Sequence, residues 1–284
     1  MATIDYASKY SGQVVEKFKE GSKSDKFINN DYEFSGVQSV LVYNNTLPTL
    51  GDYKRTGTNR FGDLQELNLT KEEMKMTQEK SFSFVIDHGD ESDTQGAMNA
   101  GKMLARTIKE VVVPELDKYR FAKMATSAHT KIEETITAEN VYTVITDATE
   151  ALDDLEIPEE GRVLACNPKV YKLLKQCKDV ILDTELSDEQ RKRGVLGMID
   201  GLEIVKVPSA RLPENCEFIV SHSMACTAPV KLAVYRILTE VQGIHGAVAE
   251  GLVYHDAFVL EERKKMIVAC SAPSMASEKA KKSK

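Results

Sequence analysis

Four apolar residues near the start of the chain, Tyr6, Tyr10, Val14 and Phe18, recur at intervals of four. That spacing puts them on one face of a helix. The polar stretch "GSKSDKFINN" that follows reads as a loop. A short amphipathic helix ahead of a loop, outside any obvious core, predicts an arm that packs on its own domain or on a neighbouring subunit. The pattern then changes to β. "FSGVQSVLVYNNTLPTL" is β-rich around Val40, Leu41, Val42 and Tyr43, and is stopped by Asn44, Asn45 and Pro48. Further on, Leu67 and Leu69, then Met74 and Met76, then Phe82, Phe84 and Ile86 alternate with polar residues. Period-two alternation with so few apolar positions predicts strands covered on one side only. The connecting "TKEE" and "TQEK" are highly charged. Together these segments predict a long, exposed β-hairpin arm, which has too little core to be stable alone in water and needs a partner surface.

Past residue 92 the apolar spacing becomes helical. Leu104, Ile108, Val111 or Val112, Leu116, Tyr119 and Ala122 follow a three-and-four pattern, with Ser92 or Asp93 as the expected N-cap. A helix from Asp93 to about Thr126 is roughly 50 Å long at about 1.5 Å per residue. Pro114 is expected to kink or divide it. A compact region begins near Thr137. There "TAENVYTVITDATEALDDLEIP" predicts a capped helix with Val141, Ile145, Ala148 and Leu152 as its buried stripe. "GRVLACNP" reads as a short buried strand, and "PKVYKLLKQ" as a helix with Pro168 in its first turn. Alternation of helix and strand predicts an α/β lobe. After "EFIVSH" and "APVKLAVYRILTEVQG" the chain closes with two strand-like runs around "EERKK". No sequence repeat is present.

Composition narrows the function classes. The chain has 284 residues, 42% hydrophobic and 29% charged, with net charge −7. It is long enough to bury a sizeable core as one large domain or two smaller ones. No apolar run approaches the roughly 18 residues that span a bilayer, and the first residues lack the apolar core of a secretory signal. The expected location is therefore the cytoplasm in which the chain is made. An acidic balance argues against broad phosphate-backbone binding. The short basic tail holding Lys279, Lys281, Lys282 and Lys284 is expected to be mobile and solubilising, with a nucleic-acid-facing role as the sharper alternative. Five cysteines at irregular spacing, none in a C-x-x-C pair, predict buried free thiols.

Catalytic motifs are weak throughout. Gly197 and Gly201 in "GMIDGLEIVKVPSARLP" invite comparison with a phosphate-binding loop, but a strand-like run with prolines follows them. No helix N-terminus stands there to face a phosphate, so both read as turn glycines. Cys216, His222 and Cys226 lack a fourth ligand and match no zinc spacing. The acidic "DHGDESD" at 87–93 misplaces the glycine and glutamate of a calcium loop, and reads as a solvated turn before a helix. Ser221, His222 and Ser223 are adjacent in sequence and form no triad, and no G-x-S-x-G is present. The pairs Asp153–Asp154 and Glu133–Glu134 sit at successive positions and point apart. No residue is singled out as catalytic, cofactor-binding or metal-ligating, and an enzyme is not expected.

What remains is a layout of arm, charged hairpin, long helix, compact lobe and closing β segment, and coreless arms imply partners that cover their edges. In this order of elements, with "GMIDGLEIVKVPSARLP" followed by "EFIVSHSMA" and then "GLVYHDAFVLEERKKMIVA", the chain resembles the major capsid proteins of tailed phages. Those share the Hong Kong 97-type fold, which encapsulin shells also use. The resemblance covers residues 1–271 and implies an α+β chain with the following parts. Residues 1–35 would be an N-terminal arm and 36–136 an extended loop (about 51–92) with a peripheral domain built on a spine helix (about 93–126). Residues 137–238 would be an axial domain, 239–271 a return to the peripheral domain, and 272–284 a flexible basic tail.

The resemblance further implies a homo-oligomer of pentamers and hexamers forming an icosahedral shell around double-stranded DNA. The shell would be assembled in the host cytoplasm and contact the DNA non-specifically. Scaffolding, portal and decoration proteins would be separate partners, with no cofactor and no membrane. Arg55, Arg60, Lys71, Lys75 and Lys80 in the hairpin are the expected contacts to acidic neighbouring subunits, and these contacts should be salt-sensitive. The alternatives are an encapsulin-like nanocompartment shell holding cargo protein, and an α/β enzyme, which would bind a small ligand as a monomer or small oligomer.

Overall fold

The structure is a computed structural model that describes residues 22–29, 32, 39–45, 48–62, 66, 69–89, 99–177, 197–239 and 241–273. The expected helix carrying Tyr6 to Phe18, the expected cap at Ser92 or Asp93, Leu67 and the basic tail lie outside the described residues. In chain order, the first strands are β1 (Ile28–Asn29), β2 (Ser39–Asn45), β3 (Leu69–Lys75) and β4 (Gln78–Asp87). A long helix follows, made of α1 (Ala100–Thr107), a π-helical turn (Ile108–Val112) and α2 (Val113–Ser127). Next come β5 (Thr130–Glu133), α3 (Val141–Asp153), β6 (Arg162–Cys166) and α4 (Pro168–Gln176). The remaining strands are β7 (Met198–Ile199), β8 (Leu202–Lys206), β9 (Cys216–His222), β10 (Cys226–Thr227), β11 (Val230–Leu238), β12 (Gly246–His255) and β13 (Ile267–Ser271).

Six strands in the order β5-β13-β9-β6-β8-β7 make the larger sheet. Every residue of β6 and β9 is buried, so "RVLAC" and "CEFIVSH" read as continuous runs with little alternation. Strands look like this when both faces are covered. On one face α3 and α4 lay Val141, Ile145, Ala148, Leu152, Val170 and Leu174 over Leu164, Phe218, Val220 and Val268. On the other, Phe27, Phe121 and Met124 cover Val163, Ala165, Ile219 and Ile267. The expected stripe of α3 and the expected start of α4 at Pro168 are both present.

A second sheet, in the order β11-β12-β4, packs on the first half of the long helix. Leu104, Ile108, Val113 and Leu116 meet Tyr235, Ala249, Val253, Phe82 and Phe84. The long helix is thus shared, with its first half on the three-stranded sheet and its second half on the six-stranded one. At the centre, Gly251 pairs with both Phe82 and Tyr235. A Cβ on Gly251 would stand 2.3 Å from the Phe82 ring, so only glycine leaves room for that ring across the strand.

Three sequence expectations are corrected here. Residues 78–87 do not extend the hairpin; all ten pair antiparallel with β12, from Gln78↔His255 to Asp87↔Gly246. The hairpin is β2 with β3, in the register Ser39↔Lys75 to Asn45↔Leu69. Pairing with β12 lets Phe82 and Phe84 bury against the helix, which a free arm offers no means to do. The long helix begins later than expected, because Asn99 is extended and its Oδ1 accepts the Gly101 N–H at 3.0 Å as an N-cap. Pro114, expected to kink or divide the helix, does not divide it. The preceding π-turn, with the Val113 N–H donating to the Ile108 carbonyl, widens the backbone just where proline lacks a donor and crowds the preceding turn.

The glycines of "GMIDGLEIVKVP" form the two-residue turn between β7 and β8. Asp200 (φ 48°) and Gly201 (φ 71°) both occupy the left-handed region, as a tight hairpin with the twist of its strands requires. The Thr149 hydroxyl donates to Asp200 at 2.5 Å and ties this turn to α3.

Candidate assembly interface

The residues that invited a chemical reading are placed for structure. Cys216 and His222 sit at opposite ends of β9. Both ring nitrogens of His222 face backbone, one the Glu160 carbonyl at 2.8 Å and the other the Met224 N–H at 3.1 Å. All five cysteines are buried and free. Burial pushes the thiols of Cys166, Cys216, Cys226 and Cys270 up to about 12, which keeps them protonated. Among the described residues no three His, Cys, Asp or Glu side chains are grouped to hold a metal. No helix among them is long and apolar enough to cross a membrane.

The hairpin is unlike the rest of the surface. Its base is anchored where Met74 and Met76 are buried with Val40, Val42, Tyr254, Phe258 and Leu260. Beyond that base apolar groups stand in solvent, including Leu41, Tyr43 and Leu69 on the strands and Leu50, Tyr53 and Phe61 in the connection. Phe61 is 89% exposed and packs edge-on against Tyr53 at 5.1 Å. A reversal held by the Lys54 N–H to Arg60 carbonyl bond (2.9 Å) and by Gly57 at φ 99° sets those two rings side by side. Single exposed apolar residues are ordinary, but a cluster of this size on one protrusion marks an interaction surface.

Of the expected contact residues, Arg55, Arg60, Lys71 and Lys75 are exposed on this hairpin. Lys71 lies over the Tyr43 ring at 5.6 Å, and the Arg60 Nε–H donates to the Gly57 carbonyl. Lys80 is not on the hairpin, since β4 belongs to the three-stranded sheet. It stands with His255, Val111 and Glu115 around a cleft beside the π-turn.

Two buried carboxylates tie the arms to α2. Asp117, fully buried, accepts the Ser22 hydroxyl (2.7 Å), the Lys23 N–H (2.9 Å), the Ser24 hydroxyl (2.7 Å) and an Arg211 N–H (2.8 Å). One turn on, Arg120 donates to Ser24 Oγ at 2.9 Å and to Asp25 at 3.3 Å. Asp256 accepts the Thr77 N–H (2.8 Å) and hydroxyl (2.9 Å), the Tyr119 hydroxyl (2.7 Å) and the Ala257 N–H (2.8 Å). Burial, then the Asp256 bond, raises the Tyr119 hydroxyl far above its ordinary range. Beside them His255 packs edge-on to Tyr119 at 5.4 Å. Burial first, and the nearby Arg120 second, lower its pKa to about 4. One helical turn, Asp117 to Arg120, therefore holds both the segment entering from the N-terminus and the base of the hairpin.

No family model and no curated protein matches the sequence. Solved structures do. One from Mycobacterium phage Che8 matches at TM-score 0.71 with 22% identity, over 86% of this chain and 89% of that one. The capsid structure of cyanophage P-SCSP1u matches at 0.66 and 17%, over 88% of each chain. The chain has the Hong Kong 97-type fold. A virus-like particle from Pyrococcus furiosus matches at 0.57 and 13%, over 94% of this chain and all of that one.

Within the Hong Kong 97-type fold of this chain, sequence reasoning placed β3 in a hairpin but gave it β4 as well, and it missed Tyr119 and Asp256, which secure the hairpin base, and Asp117 and Arg120, which hold residues 22–25. A signal was present. Asp117 and Arg120 share a helical face with Phe121 and Met124, and charges set into a buried stripe are paired or networked when they occur.

Proposed function

We propose that this chain is the structural subunit of an icosahedral shell of the tailed-phage kind, enclosing double-stranded DNA. The observation that carries it is the likeness to shell structures over most of both chains, joined to a protruding hairpin whose apolar groups lack cover in a single copy. In this assignment the three-stranded sheet with the first half of the long helix is the peripheral domain. The six-stranded sheet with α3 and α4 is the axial domain, and residues 1–35 are an arm. Arg55, Arg60, Lys71 and Lys75 make salt-sensitive contacts to acidic neighbours, with Lys80 meeting the same neighbour from the sheet beside the hairpin base. The shell assembles in the host cytoplasm from pentamers and hexamers, with scaffolding, portal and decoration proteins as separate partners. Acidic net charge suits a wall that touches packaged DNA only loosely, because like charge weakens backbone contacts.

A shell holding cargo protein is the second reading, since a virus-like particle from Pyrococcus furiosus matches along the whole of that chain and the fold alone does not fix the contents. The contents separate the two. Purified particles treated with nuclease and then opened should release protected double-stranded DNA; a defined protein cargo without nucleic acid would favour the second reading. Reversing the charge of Lys71 and Lys75 together should lower particle yield and its salt sensitivity, and unchanged values would remove them from the contact.

A further inference from the structure

The face of α4 stands out in a chain of net charge −7. Its sequence "PKVYKLLKQ" has three lysines and no acid, and Lys206 at the end of β8 joins them. Lys175 and Lys206 converge on one ring, with their ammonium groups 4.9 Å and 5.4 Å from the centre of Tyr171. The ring quadrupole attracts each of them, but two like charges held at one ring are better placed beside an anion. The carboxylate at that end, Glu217, is buried and already accepts from Lys169 and Asn167. Among the described residues no ion pair joins any acid to Lys172, Lys175 or Lys206.

The complementary surface lies on the same lobe. Between α3 and β6, Asp153, Asp154, Glu156, Glu159 and Glu160 are all exposed, and among the described residues only Asp153 is paired, with Arg162 at 2.6 Å. β6 and β8 run parallel, with Cys166 opposite Lys206. The acidic ridge leads into the start of that strand pair and Lys206 ends it, so the ridge and Lys206 lie at opposite ends of the pair. A body with complementary patches at opposite ends associates head to tail, and such contacts close into rings when the rotation between copies allows.

We propose that the Lys172–Lys175–Lys206 face around Tyr171 on one copy of this chain docks on the 153–160 ridge of the next copy. This contact rests on the shell reading and gives it a specific head-to-tail joint. The test uses the full chain under conditions where it assembles, with oligomer distribution followed by mass photometry. Lys175→Glu with Lys206→Glu should reduce the assembled fraction at least tenfold, and so should Glu159→Lys with Glu160→Lys. Mixing the two variants, each with an intact thermal transition, should restore assembly, because each then offers one surface that matches the other. Normal assembly of either variant alone, or no recovery on mixing, overturns the contact while leaving the shell reading standing. If the first variant assembles normally but particles retain less DNA, the face serves nucleic acid and the contact is overturned in that way. A wild-type chain that never assembles overturns both.

Discussion

The Tyr119 hydroxyl donates to the Asp256 carboxylate at 2.7 Å, joining the long helix to the residue that follows β12. The same carboxylate holds Thr77 between β3 and β4 by two further bonds. The base of the hairpin is therefore fixed although its far end is bare. Tyr119→Phe should cost about 1 kcal/mol, the ordinary net value of a hydrogen bond, because Asp256 keeps its other donors. Hydrogen exchange checks this, with faster exchange expected over residues 69–87 and little change in β6 or β9.

Asp117 is a harder case. Its carboxylate is fully buried and faces Arg211, Ser22 and Ser24. Asp117→Ala would leave the guanidinium and four other donors without their acceptor. A loss of about 3–5 kcal/mol is expected, the range for removing one partner of a buried pair. Urea denaturation of the unassembled chain measures it, and a loss below about 1 kcal/mol would show that the network relaxes freely.

His255 makes stability depend on acid. Its folded pKa of about 4 lies below the ordinary 6.5, so between those values the unfolded chain binds the extra proton and the folded chain does not. Stability is then full above about pH 6.5 and falls as pH drops toward 4, by an amount on the order of 3 kcal/mol. Thermal melts from pH 7 to 4 should show a steeper decline in the wild type than in His255→Gln.

Gly251 tests the packing of the three-stranded sheet. A valine there would meet the Phe82 ring, so Gly251→Val should displace that ring and destabilise by about 1–3 kcal/mol. Pairing Gly251→Val with Phe82→Ala should recover part of the loss, which denaturation of the single and double variants resolves.

Local pattern carried the sequence reading where a segment's neighbours are close in the chain. Val141, Ile145, Ala148 and Leu152 repeat every three or four positions, and all four are fully buried against β6, which begins ten residues later. Phe82, Phe84 and Ile86 announced a strand equally well, yet alternation says nothing about which strand pairs with it. The partner, β12, lies more than 150 positions away, and so β4 was assigned to the hairpin. Asp117 and Arg120 were missed for another reason. Charged residues on a helix usually face water, and the partners of these two, Ser22 to Asp25 and Arg211, are brought in from distant parts of the chain. Leu50 and Phe61 were not singled out, because an apolar residue reads as core until the fold shows that it stands exposed.

The central claim is that the chain completes itself by assembly. Electron microscopy of the purified chain in negative stain, with its scaffolding protein if one is required, tests this most directly. Closed particles of uniform diameter are predicted. A persistent 31.6 kDa monomer, stabilised in saturable fashion by a small ligand, would contradict it.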